Sequence, residues 1–403
     1  MNKKYYFSAS LCYLNYFIYG MAYIMLAQNI SFLAGKFHTD ATGISFLISM
    51  YGVGRLFTIY AAGFIGDKIG RKPMIILGAL LMAGFLLGIP LAPNYPAAMI
   101  AAILGGLSNA CLDTATYPCM MEFFPKYAGS ATVLIKAFVS FGSTLLPFII
   151  AAFINSHIYW GWAFFLPAFA YILISLCLIK LPFPPMQVTE GPVSSNKESR
   201  FVSKPHFKIE GFSLILIGFT APALLYIMQT WLPTFGQQAI GMSLESSLKL
   251  ISWYGIGSVI SVLALTIVLK RVKPVTVVLV FPIASFFATL FFLLAKSFIV
   301  AELMAFLIGV TIAGVLQLGL TVFCEFFPEK KGTITGIMYT STGIAQTVIP
   351  FLTGLILKFH NVRGIFIFSL MINLLAIVFG YIVNFRYRKL LKLPLKKDGE
   401  KAI

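Results

Sequence analysis

The chain has 403 residues, of which 59% are hydrophobic and only 11% charged, and it carries a formal net charge of +17. A soluble domain usually has about 25% charged residues, so this composition excludes a water-soluble globular protein and points to lipid as the solvent. The basic excess does not indicate nucleic acid, because the cations are scattered over loops with no zinc-ligand spacing, recognition helix or aromatic platform beside them.

Twelve apolar segments are predicted to span the membrane. Their approximate limits are 6–29, 43–65, 74–93, 97–120, 130–153, 161–181, 210–234, 246–269, 274–295, 299–322, 333–357 and 364–385. Each is near the length of about 20 residues that crosses the hydrocarbon core as a helix. Lys3 and Lys4 precede the first segment, but no small-residue cleavage site follows it, so it reads as a span and not as a signal peptide. The run from Pro182 through Pro184, Pro185, Gly191 and Pro192 to Asn196 reads as a linker over 182–209. The fold class expected is an all-α polytopic membrane protein. It has a six-helix bundle over 1–181, the linker, and a second six-helix bundle with a basic tail over 210–403.

Placing both termini in the cytoplasm puts 23 of the 30 basic residues on that side and five opposite, with Arg55 and Lys136 inside spans. This is the positive-inside bias, and the same cations suit contact with anionic lipids. The five cysteines form no CxxC pair and read as small apolar filling. No histidine cluster, metal-ligand spacing or Walker loop is present, so neither a metal cofactor nor direct ATP drive is expected.

The two halves share a phrase. Glu122-Phe123-Phe124-Pro125 is matched 203 residues later by Glu325-Phe326-Phe327-Pro328, and Pro147 and Pro350 repeat at the same offset. Internal duplication of this kind is typical of membrane transporters. The loop after the second span reads Gly63-Phe-Ile-Gly66-Asp67-Lys68-Ile69-Gly70-Arg71-Lys72-Pro73. This resembles the signature loop of the major facilitator superfamily, Gly-x-x-x-Asp-(Arg/Lys)-x-Gly-Arg-(Arg/Lys). The equivalent second-half loop keeps only Lys270, Arg271, Lys273 and Pro274. The resemblance implies a cytoplasmic gate at Gly66, Asp67, Gly70 and Arg71. Glu122 and Glu325, each beside a basic loop, are expected to add breakable ion pairs there.

The chemistry is expected at ionisable groups inside the membrane, where charge is costly and faces a cavity or a partner. Arg55, Asp113 and Lys136 lie inside spans, all in the first half. Asp113 reads as the proton-coupling group, with a permanent salt bridge to Arg55 or Lys136 as the alternative. Asn109 shares its helix face four residues earlier. The run Asp113-Thr114-Ala115-x-x-Pro118 is similar to the fourth helix of fucose-permease-like proton symporters. Those carry a partner acid in span one, where this chain has Asn15 and tyrosines 13, 16, 19 and 23. Two cations against one acid favour an anionic solute held by Arg55 or Lys136. The second half offers Tyr226 and Gln229 in span seven, Trp253 in span eight, Gln317 in span ten and Tyr339 in span eleven.

The function expected is a secondary transporter working as a monomer, not an enzyme. It is read as proton-coupled symport of a small polar solute, an organic or sugar acid ahead of a neutral sugar, by alternating access in a bacterial cytoplasmic membrane. The alternatives are a proton-driven exporter and a uniporter or exchanger. Phe141-Gly142-Ser143-Thr144-Leu145-Leu146-Pro147 departs from the Gly-Pro-x-x-Gly-Gly pattern of the superfamily's drug antiporters, which favours symport.

Overall fold

A computed structural model describes residues 5–124, 128–184, 205–269, 271–327 and 331–391. Among these the helices are α1 (Tyr6–Gln28), α2 (Ile30–Lys36), α3 (Ala41–Ile69), α4 (Arg71–Leu91), α5 (Tyr95–Phe123), α6 (Ala128–Asn155) and α7 (Trp162–Lys180). They continue as α8 (Phe212–Phe235), α9 (Leu244–Val268), α10 (Pro274–Leu293), α11 (Phe298–Ile312), α12 (Val315–Phe326), α13 (Lys331–Phe359) and α14 (Val362–Leu390). Twelve spans are long and apolar enough to cross a membrane, in agreement with the twelve expected. The tenth is a broken helix. Gly314, at φ 82°, takes a left-handed turn that ends α11 and starts α12, a conformation only glycine adopts cheaply.

The helix ends follow from local chemistry. Asp40 accepts from the Gly43 N–H at 2.9 Å, Asn94 from Ala97 at 3.0 Å, Ser243 from Ser246 at 3.2 Å and Asn361 from Gly364 at 3.3 Å. These caps open α3, α5, α9 and α14 on the membrane face opposite the linker. Each satisfies a donor that the first helical turn leaves unpaired.

Close packing inside each half depends on glycine. A Cβ on Gly54 would collide with the Ile103 carbonyl, and one on Gly106 with the Tyr51 carbonyl, so α3 and α5 meet backbone to backbone. At the 203-residue offset, Gly257 meets the Phe306 carbonyl and Gly309 the Tyr254 carbonyl, joining α9 to α11. Lipid tails supply no hydrophobic drive between helices, so such small-residue contacts replace it. The duplication seen in one loop therefore extends to individual backbone contacts in the bundles.

Helices α1–α7 form one bundle and α8–α14 the other. The bundles meet along α3 with α13, α6 with α9, and α1 with α8. Gly52 sits against the backbone of Gln346 and Thr347, and its duplicate Gly255 sits against Thr144, the duplicate of Thr347. Ser49 donates to the Thr347 carbonyl at 2.7 Å, Ser45 donates to the Pro350 carbonyl, and Gln28 donates to the Gln229 carbonyl at 2.9 Å. The Tyr23 and Tyr226 rings, also duplicates of each other, meet edge to face at 5.6 Å. All these contacts lie at the centre of the membrane or in the half away from the linker. Toward the linker face the bundles part, and Phe57 and Tyr60 of α3 become 79% and 88% exposed.

Most of the expected linker, residues 185–204, and the tail beyond 391 lie outside the described residues. At the linker's far end, a π-helical turn over Phe207–Gly211 leads into α8. It is fixed by an unforeseen buried pair. Glu210, fully buried, accepts from Arg386 Nε at 2.6 Å and from the His206 N–H at 2.9 Å.

Candidate solute and proton site

Among the described residues, only Arg55, Asp113 and Lys136 place a charge eight or more residues in from both ends of a membrane-spanning helix. At 1.5 Å per residue they lie about 21, 15 and 12 Å from the linker-side ends of α3, α5 and α6. The structure brings the first two together. Arg55 Nη2 donates to Asp113 Oδ2 at 3.1 Å, with Arg55 4% and Asp113 21% exposed. Tyr16 Oη donates to the other carboxylate oxygen, Oδ1, at 2.8 Å. Arg55 Nη1 donates to Gln346 Oε1, across the interface between the bundles. One guanidinium thus holds the acid of its own bundle and an amide of the other.

Gly106 explains how Arg55 reaches this position. The missing Cβ lets the α3 backbone at Gly54 and Arg55 press onto α5, which puts Arg55 beside Asp113, seven residues further along α5. The second half carries Ser258 and Leu316 at the duplicate positions, so the ion pair has no counterpart there.

Aromatic rings extend from the ion pair in two directions. Tyr16, Tyr19 and Tyr23 follow one face of α1 with centroids 5.5 and 6.0 Å apart, and Tyr23 meets Tyr226. Beyond them a crevice is lined by Tyr23, Tyr51, Tyr226, Gln229 and Thr230. On the other side Tyr117 lies edge-on to Tyr16 at 5.7 Å, and Lys136 Nζ sits 5.3 Å from the Tyr117 ring centre. Lys136 is also within electrostatic range of Tyr339 of the opposite bundle.

The remaining expected site residues are distributed differently. Asn15 is buried, and its backbone carbonyl accepts from Tyr171 of its own bundle at 3.2 Å. Of the span-one candidates, Tyr16, one position on, is the one that bonds to the acid. Asn109 is buried, and both of its amide atoms lack a protein partner, as do those of Asn15. Gln229 borders the crevice and contributes its backbone carbonyl to the bundle contact. Gln317 is exposed on α12 beside Thr321, whose hydroxyl turns back to the Gln317 carbonyl at 2.9 Å. Trp253 shares an exposed apolar stripe with Ile260 and Ile267 at seven-residue spacing. This is the pattern of a lipid-facing helix surface, away from the ion pair.

At the linker face, Gly70 takes φ 100° between α3 and α4. The Arg71 side chain folds back over Gly66, and Arg71 Nε lies 3.6 Å from Glu122. Glu325 accepts from Tyr387 at 2.8 Å. Both acids are thus held within their own bundles. Asp67 lies on the last turn of α3, and its side chain is outside the described set.

In the sequence Tyr16 stands out only as one of four tyrosines in span one, and nothing singles out Gln346. The spacing of tyrosines 16, 19 and 23 along one helix face, with Tyr226 the duplicate of Tyr23, was the signal available for the ladder. The Gln346 contact depends on register between distant helices.

The family model for the Major Facilitator Superfamily matches residues 12–317 and 250–402. The MFS-type transporter YfkL of Bacillus subtilis (strain 168) is 42% identical over 386 residues, covering 95% of this chain and 97% of that protein. The inner membrane transport protein YdiN of Escherichia coli (strain K12) is 37% identical over 390 residues, covering 96% and 92%. A crystal structure of a D-xylose-proton symporter superposes with a TM-score of 0.73 at 16% identity, covering 94% of this chain and 97% of that one.

Proposed function

This chain belongs to the Major Facilitator Superfamily of secondary transporters, a non-enzymatic class, and from that premise we propose that it is a proton-coupled symporter for a small polar solute. The supporting observation is the shared guanidinium. Arg55 binds the membrane-embedded acid Asp113 and, through Gln346, the opposite bundle. A change of charge on Asp113 therefore alters the contact that closes one side of the transporter.

The positive-inside bias makes the linker face cytoplasmic, so the geometry corresponds to an inward-open carrier with its outer side closed. The inner-membrane name of the Escherichia coli relative agrees with a bacterial cytoplasmic membrane. The 3.1 Å ion pair is the arrangement expected after the proton has left. In the outward-open carrier a proton on Asp113 cancels its hold on Arg55. The guanidinium, released from the acid, is then held by Gln346 alone as the bundles close over the solute. Once the linker side opens, Asp113 is partly exposed to the cytoplasmic cavity and loses its proton, and Arg55 pairs with it again. Tyr16 donates to the carboxylate in this state.

The test is proton movement in oriented proteoliposomes, read with an internal pH dye while solutes are added. Symport requires inward proton flow together with solute uptake. Proton flow opposite to the solute would replace this reading with antiport, and solute flux without proton movement would replace it with facilitated exchange. Asp113→Asn should abolish uphill accumulation while sparing exchange. Accumulation that persists in this variant would remove Asp113 from the coupling role.

A further inference from the structure

The cation that remains for a solute is Lys136. Arg55 uses Nη2 for Asp113 and Nη1 for Gln346, and its Nε is buried without a partner. Both terminal nitrogens are thus already engaged, and the remaining nitrogen is buried. Lys136 has no carboxylate within ion-pair distance among the described residues. It is half-buried, over the Tyr117 ring and within electrostatic range of Tyr339. The Tyr117 hydroxyl is buried and has no hydrogen-bond partner in the described chain. Lys136 and Tyr339 occupy duplicate positions in the two halves, so a ligand between them would touch matching helices of both bundles.

Charge balance identifies the ligand class. The membrane-embedded set of Arg55, Lys136 and ionised Asp113 carries one net positive charge. Adding a proton alone raises this to two, and adding a monocarboxylate alone lowers it to zero. Adding both returns it to one. The empty carrier and the doubly loaded carrier then cross between states with the same embedded charge. Either half-loaded form must rock with a different charge in a medium where charge is expensive.

Resting on the symport reading, we propose that Lys136, flanked by Tyr117 and Tyr339, receives the carboxylate of a small monocarboxylic acid, and that this acid and one proton cross together without net charge. Tyr117 lies between this cation and Tyr16, so the part of the solute next to its carboxylate meets aromatic surface.

The experiment uses the full chain in proteoliposomes. Benzoate, lactate and gluconate are presented beside benzamide, lactamide and glucose, under an imposed pH gradient or a valinomycin-clamped potassium potential. The expected result is accumulation of at least one acid, driven by the pH gradient and unchanged by the potential, with the neutral counterparts ignored. Lys136→Gln should raise the KM for that acid about tenfold or more, and Lys136→Arg should recover most of the loss, as expected for a charge-assisted contact. Proton-coupled uptake that prefers a neutral compound, or that responds to the potential, would overturn the proposal and leave symport standing. Carboxylate uptake unaffected by Lys136→Gln would also overturn it. A folded protein that moves none of the acids would do the same. Failure of any solute to move protons would remove the symport reading itself.

Discussion

Replacing Gln346 with alanine tests the link between the bundles. Gln346 is 8% exposed and Arg55 4%, so their bond lies in a nearly dry interface. A hydrogen bond to a charged group is worth roughly 1.5–3 kcal/mol net. Opening the outer side would rehydrate both partners, so the lower end applies, about 1.5 kcal/mol. At 1.4 kcal/mol per factor of ten, the outer-closed state should lose about tenfold in population relative to the outer-open one. In the proposed cycle the contact is made only while the outer side is closed, so almost the whole effect should fall on that equilibrium. Spin labels at Tyr60 of α3 and Thr340 of α13 would report it. Both positions are exposed and lie about 13 Å from the linker-side ends of their helices by rise per residue. Pulsed electron resonance on a cysteine-free background should show the Gln346→Ala population moving toward the shorter distance. Gln346→Glu, which places a second anion on Arg55, should move it toward the longer. If neither variant changes the populations by twofold, the guanidinium does not connect the acid to the outer closure.

Other perturbations address separate parts of the structure. Tyr16→Phe removes the 2.8 Å bond to Asp113 and should lower proton-coupled uptake about tenfold while leaving the melting temperature within a few degrees; unchanged uptake would make Tyr16 a packing residue only. Gly54→Ala and Gly257→Ala each drive a Cβ into a backbone carbonyl inside one bundle, so both should reduce the yield of folded protein in detergent by fluorescence-detected size exclusion. Gly52→Ala and Gly255→Ala meet the opposite bundle instead. They should slow transport while leaving folded yield near that of the parent. Arg386→Met strands the fully buried Glu210. Breaking a buried pair costs roughly 3–5 kcal/mol, and the partial exposure of Arg386 argues for about 3 kcal/mol, read as a clear loss of thermal stability.

The parts of this molecule readable in the sequence are those set by composition and by local spacing. Span number follows from runs of apolar residues, and membrane charge is rare enough that Arg55, Asp113 and Lys136 were evident without coordinates. The roles of Asn15 and Trp253 were not readable, because a helix offers several faces and sequence alone does not say which one a neighbour covers. A rotation of one residue exchanges Asn15 for Tyr16 beside the acid. The glycine contacts were present in the sequence as residues at a common offset. Their meaning required knowing which carbonyl each glycine faces. Glu210 and Arg386 are 176 residues apart and lie near helix ends, where charged residues are ordinary, so nothing marked them as a pair.

The ion pair has neutral duplicates, with Ser258 in place of Arg55, Leu316 in place of Asp113 and Tyr339 in place of Lys136. The two halves run through the membrane in the same direction, so each duplicate lies at the same depth as its counterpart on the opposite wall of the path. Here all the embedded charge travels with one half, and the other acts as an uncharged wall against which it moves. A charged solute is therefore held from one wall of the path, and that half governs how readily each loaded form crosses. The solute and proton gradients alone still set the final distribution. Loss of a charge from the first half should cost far more transport than a change at its neutral duplicate in the second.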